Sequence, residues 1–280
     1  MQDKLVLKHA IIIKTVQEIR VGMPRIGTRK LKFILDNTLQ KHGIAMGRDL
    51  LFDLLSEYGL LVRRRKKRKC ITTDSDHPFR KYPNLIRGLE VSCPDQLWVS
   101  DITYVALTNS YCYLSLVTDA YSRKIIGYKL YPTLEKEGPL SALHMALRTT
   151  ERSANTLIHH SDRGLQYCCR DYIDLLLKHK ITISMTEKGD PYENAIAERV
   201  NGILKTEFFL SKTFRNYDEA SQVVSNSIST YNAKRPHGSL DYFTPEQAHQ
   251  QIGVLTKKWK PKNELQSHPD SLGFTRHKPP

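Results

Sequence analysis

Apolar side chains recur every three or four residues through the first sixty positions, and from about position 96 β-branched and aromatic residues gather into short stretches, so the chain changes from helices to strands part-way along. Ile11, Ile12, Val16 and Ile19 share one face of a first helix. After a break at Gly22, Pro24 and Gly27, Leu31, Ile34, Leu35 and Leu39 mark a second helix. Leu50, Leu51, Leu54 and Leu55 mark a third, which stops near Gly59. Further on, QLWVSDITYVAL, YCYLSLVTDA and RKIIGYKLY read as three antiparallel strands, because the breaks TNS and YS are too short for crossover helices. PLSALHMALRTT then reads as a helix, NTLIHH as a short buried strand, YCCRDYIDLLLKH as a helix and ITISM as a strand, followed by the helical ENAIAERVNGILKTEFF.

The order βββαβαβ is that of an α/β, ribonuclease-H-like fold, a mixed sheet flanked by helices, here preceded by a small all-helical module. Length allows both parts, since 280 residues hold a core domain of about 150 residues and a smaller unit. The pattern divides the chain into a helical module over 1–62, a basic linker over 63–95, a catalytic-type domain with a helical extension over 96–255 and a basic tail over 256–280. Within the linker, Arg63, Arg64, Arg65, Lys66, Lys67, Arg68 and Lys69 are seven consecutive cations, followed by Pro78, Pro83 and Pro94 without periodicity.

Charge sharpens that division. Lys and Arg outnumber Asp and Glu by 18 to 8 over residues 1–80, stand level at 19 to 19 over 81–255, and lead by 6 to 2 over 256–280. The whole excess of +14 therefore lies at the two ends, as suits arms that grip a polyanion around a charge-balanced middle. The three N-terminal helices are compatible with a helix-turn-helix unit, and equally with any small helical bundle. The run at 63–69 reads either as a solvated linker or as a contact to a DNA backbone.

Five cysteines form no CxxC pair, which argues against a disulfide scaffold and a zinc knuckle and points to a reducing compartment. The first residues read as an amphipathic helix rather than a signal peptide. No run of 18 apolar residues is present to span a bilayer, so a cytoplasmic protein without a membrane partner is expected.

Three carboxylates stand where chemistry is expected. Asp101 interrupts the hydrophobic strand WVSDITYV, a costly place for an acid unless charge or hydrogen bonding compensates it. Asp162 follows the strand NTLIHH, where DRG also suits a turn. Glu198 lies in a helix with 35 residues between it and Asp162, room for one helix, one strand and a loop. Hard oxygen ligands of this kind suit Mg²⁺ or Mn²⁺, two of which activate an attacking oxygen and stabilise a leaving one during phosphoryl transfer. Asn194 and Lys205 share the helical face of Glu198, which makes both candidates for contact with DNA. Asp119 opens the turn before Ser122 and Arg123 as structural support. His160 either shapes the site or is a satisfied buried histidine, and Arg235 and His237 either fix a turn or touch a bound DNA end.

In order, WVSDITYV, VTDAYSRKIIGY, HHSDRGLQY, SMTEKGDPYENAIAERVNGILKTEF and YNAKRPHGSLDYFTP resemble the signatures of the DDE transposases of the IS3 insertion-sequence family, second open reading frame product. They cover residues 98–245, while GMPRIGTRKLKFIL and LLFDLLSEYGLL more loosely resemble the helix-turn-helix stretch before the catalytic core. The resemblance implies a retroviral-integrase-like core in which Asp101, Asp162 and Glu198 bind divalent metal, with two ions when DNA is present. It implies nicking at transposon ends, then strand transfer by the freed 3′-OH. The implied partners are double-stranded DNA bearing terminal inverted repeats, target DNA, further copies of the chain on paired ends, and an upstream open reading frame product or frameshift fusion. A bacterial, nucleoid-associated location follows. Two other readings fit the same pattern, a non-catalytic DNA-binding regulator of transposition and a ribonuclease-H-like nuclease.

Overall fold

The computed structural model describes residues 2–62, 77–150, 157–187 and 194–256. The basic run from Arg63 to Lys69 and the tail beyond residue 256 lie outside the described residues. Three helices come first, α1 (Gln2–Gly22), α2 (Thr28–Lys41) and α3 (Arg48–Glu57), at the places that the apolar periodicity marks. Gly43 and Gly59 follow α2 and α3 with φ of +61° and +64°, the left-handed conformation in which a residue without a Cβ stops a helix without strain. The expected apolar face of α3 is corrected at one position. Leu51, Leu54 and Leu55 are buried, but Leu50 is 63% exposed, because at 100° per residue it falls about 90° from the centre of the stripe set by the other three, at its edge.

The sheet follows: β1 (Leu97–Ala106), β2 (Tyr111–Asp119) and β3 (Ile125–Tyr131) form an antiparallel meander, α4 (Glu137–Thr149) crosses over, and β4 (Ile158–Ser161) pairs parallel with β1. The next helix breaks in two, α5 (Leu165–Cys168) and α6 (Arg170–Lys178), because Cys169 is extended and caps the second piece, a break that the apolar spacing does not show. Then come β5 (Thr182–Met185), α7 (Ala195–Glu207), α8 (Tyr217–Lys234) and the short α9 (Pro245–Ala248). The strand order is β3-β2-β1-β4-β5, which is the mixed sheet that the element order predicts. No helix among the described residues is long and apolar enough to cross a membrane.

Alternation along β1 sends side chains to two cores. Trp98 and Ile102 join Val117, Ala142, Tyr172 and Ile183 beneath α4 and α6. Leu97 and Val99 pack with Ala197, and Val105 packs with Leu114, Val200 and Leu204, on the side of α7. That second core continues without a break into the N-terminal helices, since Ile12, Val16, Leu31 and Leu51 belong to the same cluster as Ile203 and Tyr231. The helical module is thus packed on the α7–α8 side of the sheet.

Candidate active site

Asp101 sits at the middle of β1 with the parity of Val99 and Val105, so the pleat turns it toward α7. Parallel register pairs Val99 with His160, and Asp162 lies two residues beyond His160, just past the end of β4. Two residues restore the same face of the sheet, so Asp162 stands beside Asp101 at the place where β1 and β4 part and the strand order reverses. Clefts at such points commonly receive ligands. Asp162 is held by its own turn, with the amide of Gly164 donating to its Oδ1 at 2.9 Å. A Cβ at Gly164 would come within 3.0 Å of that same oxygen.

Glu198 reaches the site from α7. Positions 194, 198, 201 and 205 form one stripe along the helix. Asn194 donates to the Ser100 carbonyl at 3.2 Å, Asn201 donates to Asp101 Oδ2 at 2.7 Å, and the Lys205 ammonium lies 3.9 Å from the centre of the Tyr104 ring. Three members of the stripe thus touch β1 from Ser100 to Tyr104, and Glu198 lies between the first two. It occupies the first turn of α7, where the helix dipole favours a carboxylate.

Burial raises the Asp101 pKa to about 7, the negative charge of Asp162 adds to the rise and that of Glu198 adds a little more, while the hydrogen bonds from Asn201 and the Ile102 amide work against it. In this arrangement no three His, Cys, Asp or Glu among the described residues are drawn tightly enough together to enclose an ion. The donor set nevertheless fits a hard divalent cation. It includes the Asp101 carboxylate, whose charge burial and the neighbouring Asp162 disfavour, and two buried side-chain carbonyls, Asn194 Oδ1 and Asn201 Oδ1, with no hydrogen-bond partner among the described residues.

The other expected residues separate into two groups. Asp119 is fully buried, accepting from the Ser122 amide at 2.7 Å, the Ser122 hydroxyl at 2.6 Å and the Asp95 amide at 2.8 Å, so it braces the β2–β3 turn. His160 is buried with Nδ1 2.8 Å from Ser184 Oγ on β5. Arg235 and His237 lie inside the protein at the far end of α7, where Arg235 is 1% exposed and hydrogen-bonds Glu207 and His237. Both side chains are thus held inside the segment that follows α8. Asn201, Glu207 and Lys30 escape a reading of the sequence, although the spacing of Asn201, three residues after Glu198, is a signal that could have found the first.

Residues 91–191 and 179–245 match two models, each described as an integrase core domain. The chain is 38% identical over 221 residues to an uncharacterized 31 kDa protein of insertion element IS600 from Shigella sonnei, an alignment that covers 78% of this chain and 79% of that one. It is 36% identical over 230 residues to the transposase InsF for insertion sequence IS3A of Escherichia coli K12, covering 81% and 76%. It is 30% identical over 203 residues to a putative transposase for insertion sequence element IS986/IS6110 of Mycobacterium tuberculosis, covering 71% and 73%. Among solved structures, a chain of the simian T-cell lymphotropic virus intasome in complex with the PP2A regulatory subunit B56 gamma overlays with a TM-score of 0.50 at 17% identity, over 94% of this chain and 80% of that one. At that identity the likeness is one of fold.

Proposed function

The chain belongs to the IS3 family of insertion-sequence transposases, and from that premise we propose that Asp101, Asp162 and Glu198 are the metal-binding carboxylates of a centre that nicks transposon ends and joins the freed 3′-OH to DNA. The observation that carries this reading is the α7 stripe, which clips onto β1 at Ser100 and Asp101 and so carries Glu198 to the strand whose acid already stands beside Asp162. Bound Mg²⁺ or Mn²⁺, two ions when DNA is present, would supply charge for the attacking and leaving oxygens of an in-line phosphoryl transfer.

The chain's own residues hold and orient. Asp101 is fixed at both oxygens, by the Asn201 amide group and by the Ile102 amide, which leaves its remaining lone pairs aimed in one direction. Gly164 locks the Asp162 carboxylate, and Asn194 anchors the first turn of α7 so that Glu198 keeps its height along β1. Lys205, at the end of the same stripe, meets a DNA phosphate near the reacting group. The cations of residues 63–69 and the N-terminal helices grip the terminal inverted repeats. Several copies act together on paired ends and target DNA in the bacterial nucleoid, with an upstream open reading frame product or a fusion to it as a further partner.

A supercoiled plasmid carrying the element ends, incubated with Mg²⁺ and the full chain, tests the proposal. Asp101→Ala, Asp162→Ala and Glu198→Ala each abolish nicking while the affinity for the ends stays within a few-fold. Wild-type nicking by Glu198→Ala would remove that residue from the centre. Cleavage confined to the RNA of an RNA–DNA hybrid would replace transposition by a nuclease function.

A further inference from the structure

We propose that Asn201 is a positioning residue of the carboxylate centre, whose amide group fixes Asp101 while its side-chain carbonyl accepts a hydrogen bond from a water carried by the bound divalent cation. The inference rests on the reading of Asp101, Asp162 and Glu198 as the metal-binding set, and it names an element of that centre that the carboxylates alone do not supply.

The geometry leaves the carbonyl little else to do. An ionised Asp101 only accepts hydrogen bonds, so the Asn201 group 2.7 Å from its Oδ2 must be the amide nitrogen, and Oδ1 is turned elsewhere. Asn201 is 6% exposed, and its Oδ1 has no donor among the described residues. A buried carbonyl without a donor is costly, and folded proteins rarely keep one without a use. DNA phosphate cannot fill the gap, because its oxygens are acceptors too. A hydrated cation can: Mg²⁺ and Mn²⁺ sites built on a few carboxylates retain waters, and a water on a dication is a strong donor. Asn194, one stripe position before Glu198, presents a second orphaned carbonyl of the same kind, so that side of α7 offers acceptors on either side of the acid.

The test measures metal binding to the full chain, by calorimetric titration with Mn²⁺ and by the electron paramagnetic resonance signal of free Mn²⁺. Asn201→Leu, close to isosteric but without polar atoms, should weaken Mn²⁺ binding by about 10-fold or more, the usual effect of losing an outer-sphere partner. Asn201→Asp keeps an acceptor facing the water but loses the donor to Asp101, so it should weaken Mn²⁺ binding less than Asn201→Leu does. A merely structural role for the Asn201–Asp101 bond would weaken both variants alike. Unchanged binding by Asn201→Leu, or binding by Asn201→Asp as weak as that of Asn201→Leu, overturns the proposal, and thermal unfolding without metal confirms that each variant is folded. Should Asn201→Leu fail to fold, Asn201→Ala takes its place in the comparison. Asp101→Ala separates the two levels: if it binds Mn²⁺ normally, the carboxylate assignment itself fails. If it loses Mn²⁺ while Asn201→Leu does not, only the role of Asn201 falls.

Discussion

Arg235 clasps Glu207 with two hydrogen bonds of 2.8 Å, Nε to Oε2 and Nη2 to Oε1, inside a protein that leaves the arginine 1% exposed. Glu207 is the last residue of α7, the helix whose first turn carries Glu198. Its Oε1 also takes the Lys30 ammonium of α2 at 3.3 Å, and its backbone carbonyl takes the Arg25 amide at 3.1 Å. The remaining arm of Arg235 lies 2.8 Å from His237 Nε2. One carboxylate thus joins the N-terminal helices, the C-terminal end of α7 and the segment after α8. Burial alone would raise the Glu207 pKa, but the Arg235 hydrogen bonds and charge, with help from Lys30, hold it below the usual glutamate value.

Removing Arg235 leaves that carboxylate buried with only Lys30 opposite it. Arg235→Ala should destabilise the chain by about 3–5 kcal/mol, read from urea unfolding at neutral pH. Arg235→Lys keeps the charge but cannot reproduce the fork, so its loss should be intermediate. A loss for Arg235→Ala below about 1 kcal/mol would mean that the pair contributes nothing beyond filling space.

Asp101 makes the opposite case, a residue whose charge costs stability. Its folded pKa of about 7 lies above the unfolded value, so the folded state holds the extra proton between the two and stability declines as pH rises through that window. Asp101→Asn removes the charge and keeps an acceptor for Asn201. Without divalent metal at pH 8 it should therefore be more stable than the unaltered chain, by on the order of 2 kcal/mol once partial solvent access is allowed for. Below about pH 4 the gain should vanish. Calorimetric melting at the two pH values reads this directly, and an equal or lower melting temperature for the variant at pH 8 would refute it.

Much of this arrangement is legible in the amino-acid sequence itself. The strands that lead to Asp101 and Asp162 announce themselves as short apolar stretches rich in β-branched and aromatic residues or bounded by loop residues, and the helix of Glu198 by its 3.6-residue pattern, because both signals arise locally. What escapes is set by long-range contact. Nothing near Lys30 points to Glu207, which lies 177 residues away, and nothing near Asn201 marks its partner on β1, 100 residues back. Leu50 misleads for the reverse reason. A leucine at the edge of a stripe of three buried ones reads as core, and only the packing around α3 shows that this edge is left uncovered.

Close approach of β3 and α4 gives a third test. A Cβ built on Gly127 would overlap the Ala142 carbonyl oxygen and lie 2.9 Å from the Ala146 amide nitrogen, so the strand and helix meet where a methyl group cannot fit. Both neighbours are backbone and cannot swing aside. Gly127→Ala should cost about 3 kcal/mol in urea unfolding, while Gly202→Ala, which meets nothing within 4 Å on α7, should be neutral or slightly stabilising. Equal stability of the two variants would show that β3 and α4 separate readily.

Acid should weaken the fold earlier than carboxylate pairing alone would predict, because two histidines are buried neutral. His159 lies under the sheet with Nε2 2.7 Å from Ser100 Oγ and 3.0 Å from Tyr172 Oη, and burial lowers its pKa to about 3, with a smaller push from His160. His237 is driven well below the ordinary histidine value, first by burial and then by the charge of Arg235. Each takes up a proton on unfolding once the pH falls below about 6.5 but refuses it when folded, so each removes about 1.4 kcal/mol of stability per pH unit on the way down. Asp101 acts in the opposite sense over much of the same range, since its raised pKa makes the folded state the one that holds the proton. Between about pH 6 and 4.5 the metal-free chain should thus lose roughly 1.4 kcal/mol per unit from these three groups, and Asp101→Asn should lose roughly twice as much. His159→Gln should flatten the slope by about one histidine's share. Unfolding free energies from urea titrations at half-unit pH steps supply the slopes, and parallel slopes for the unaltered chain and His159→Gln would show that His159 is protonated in the folded state.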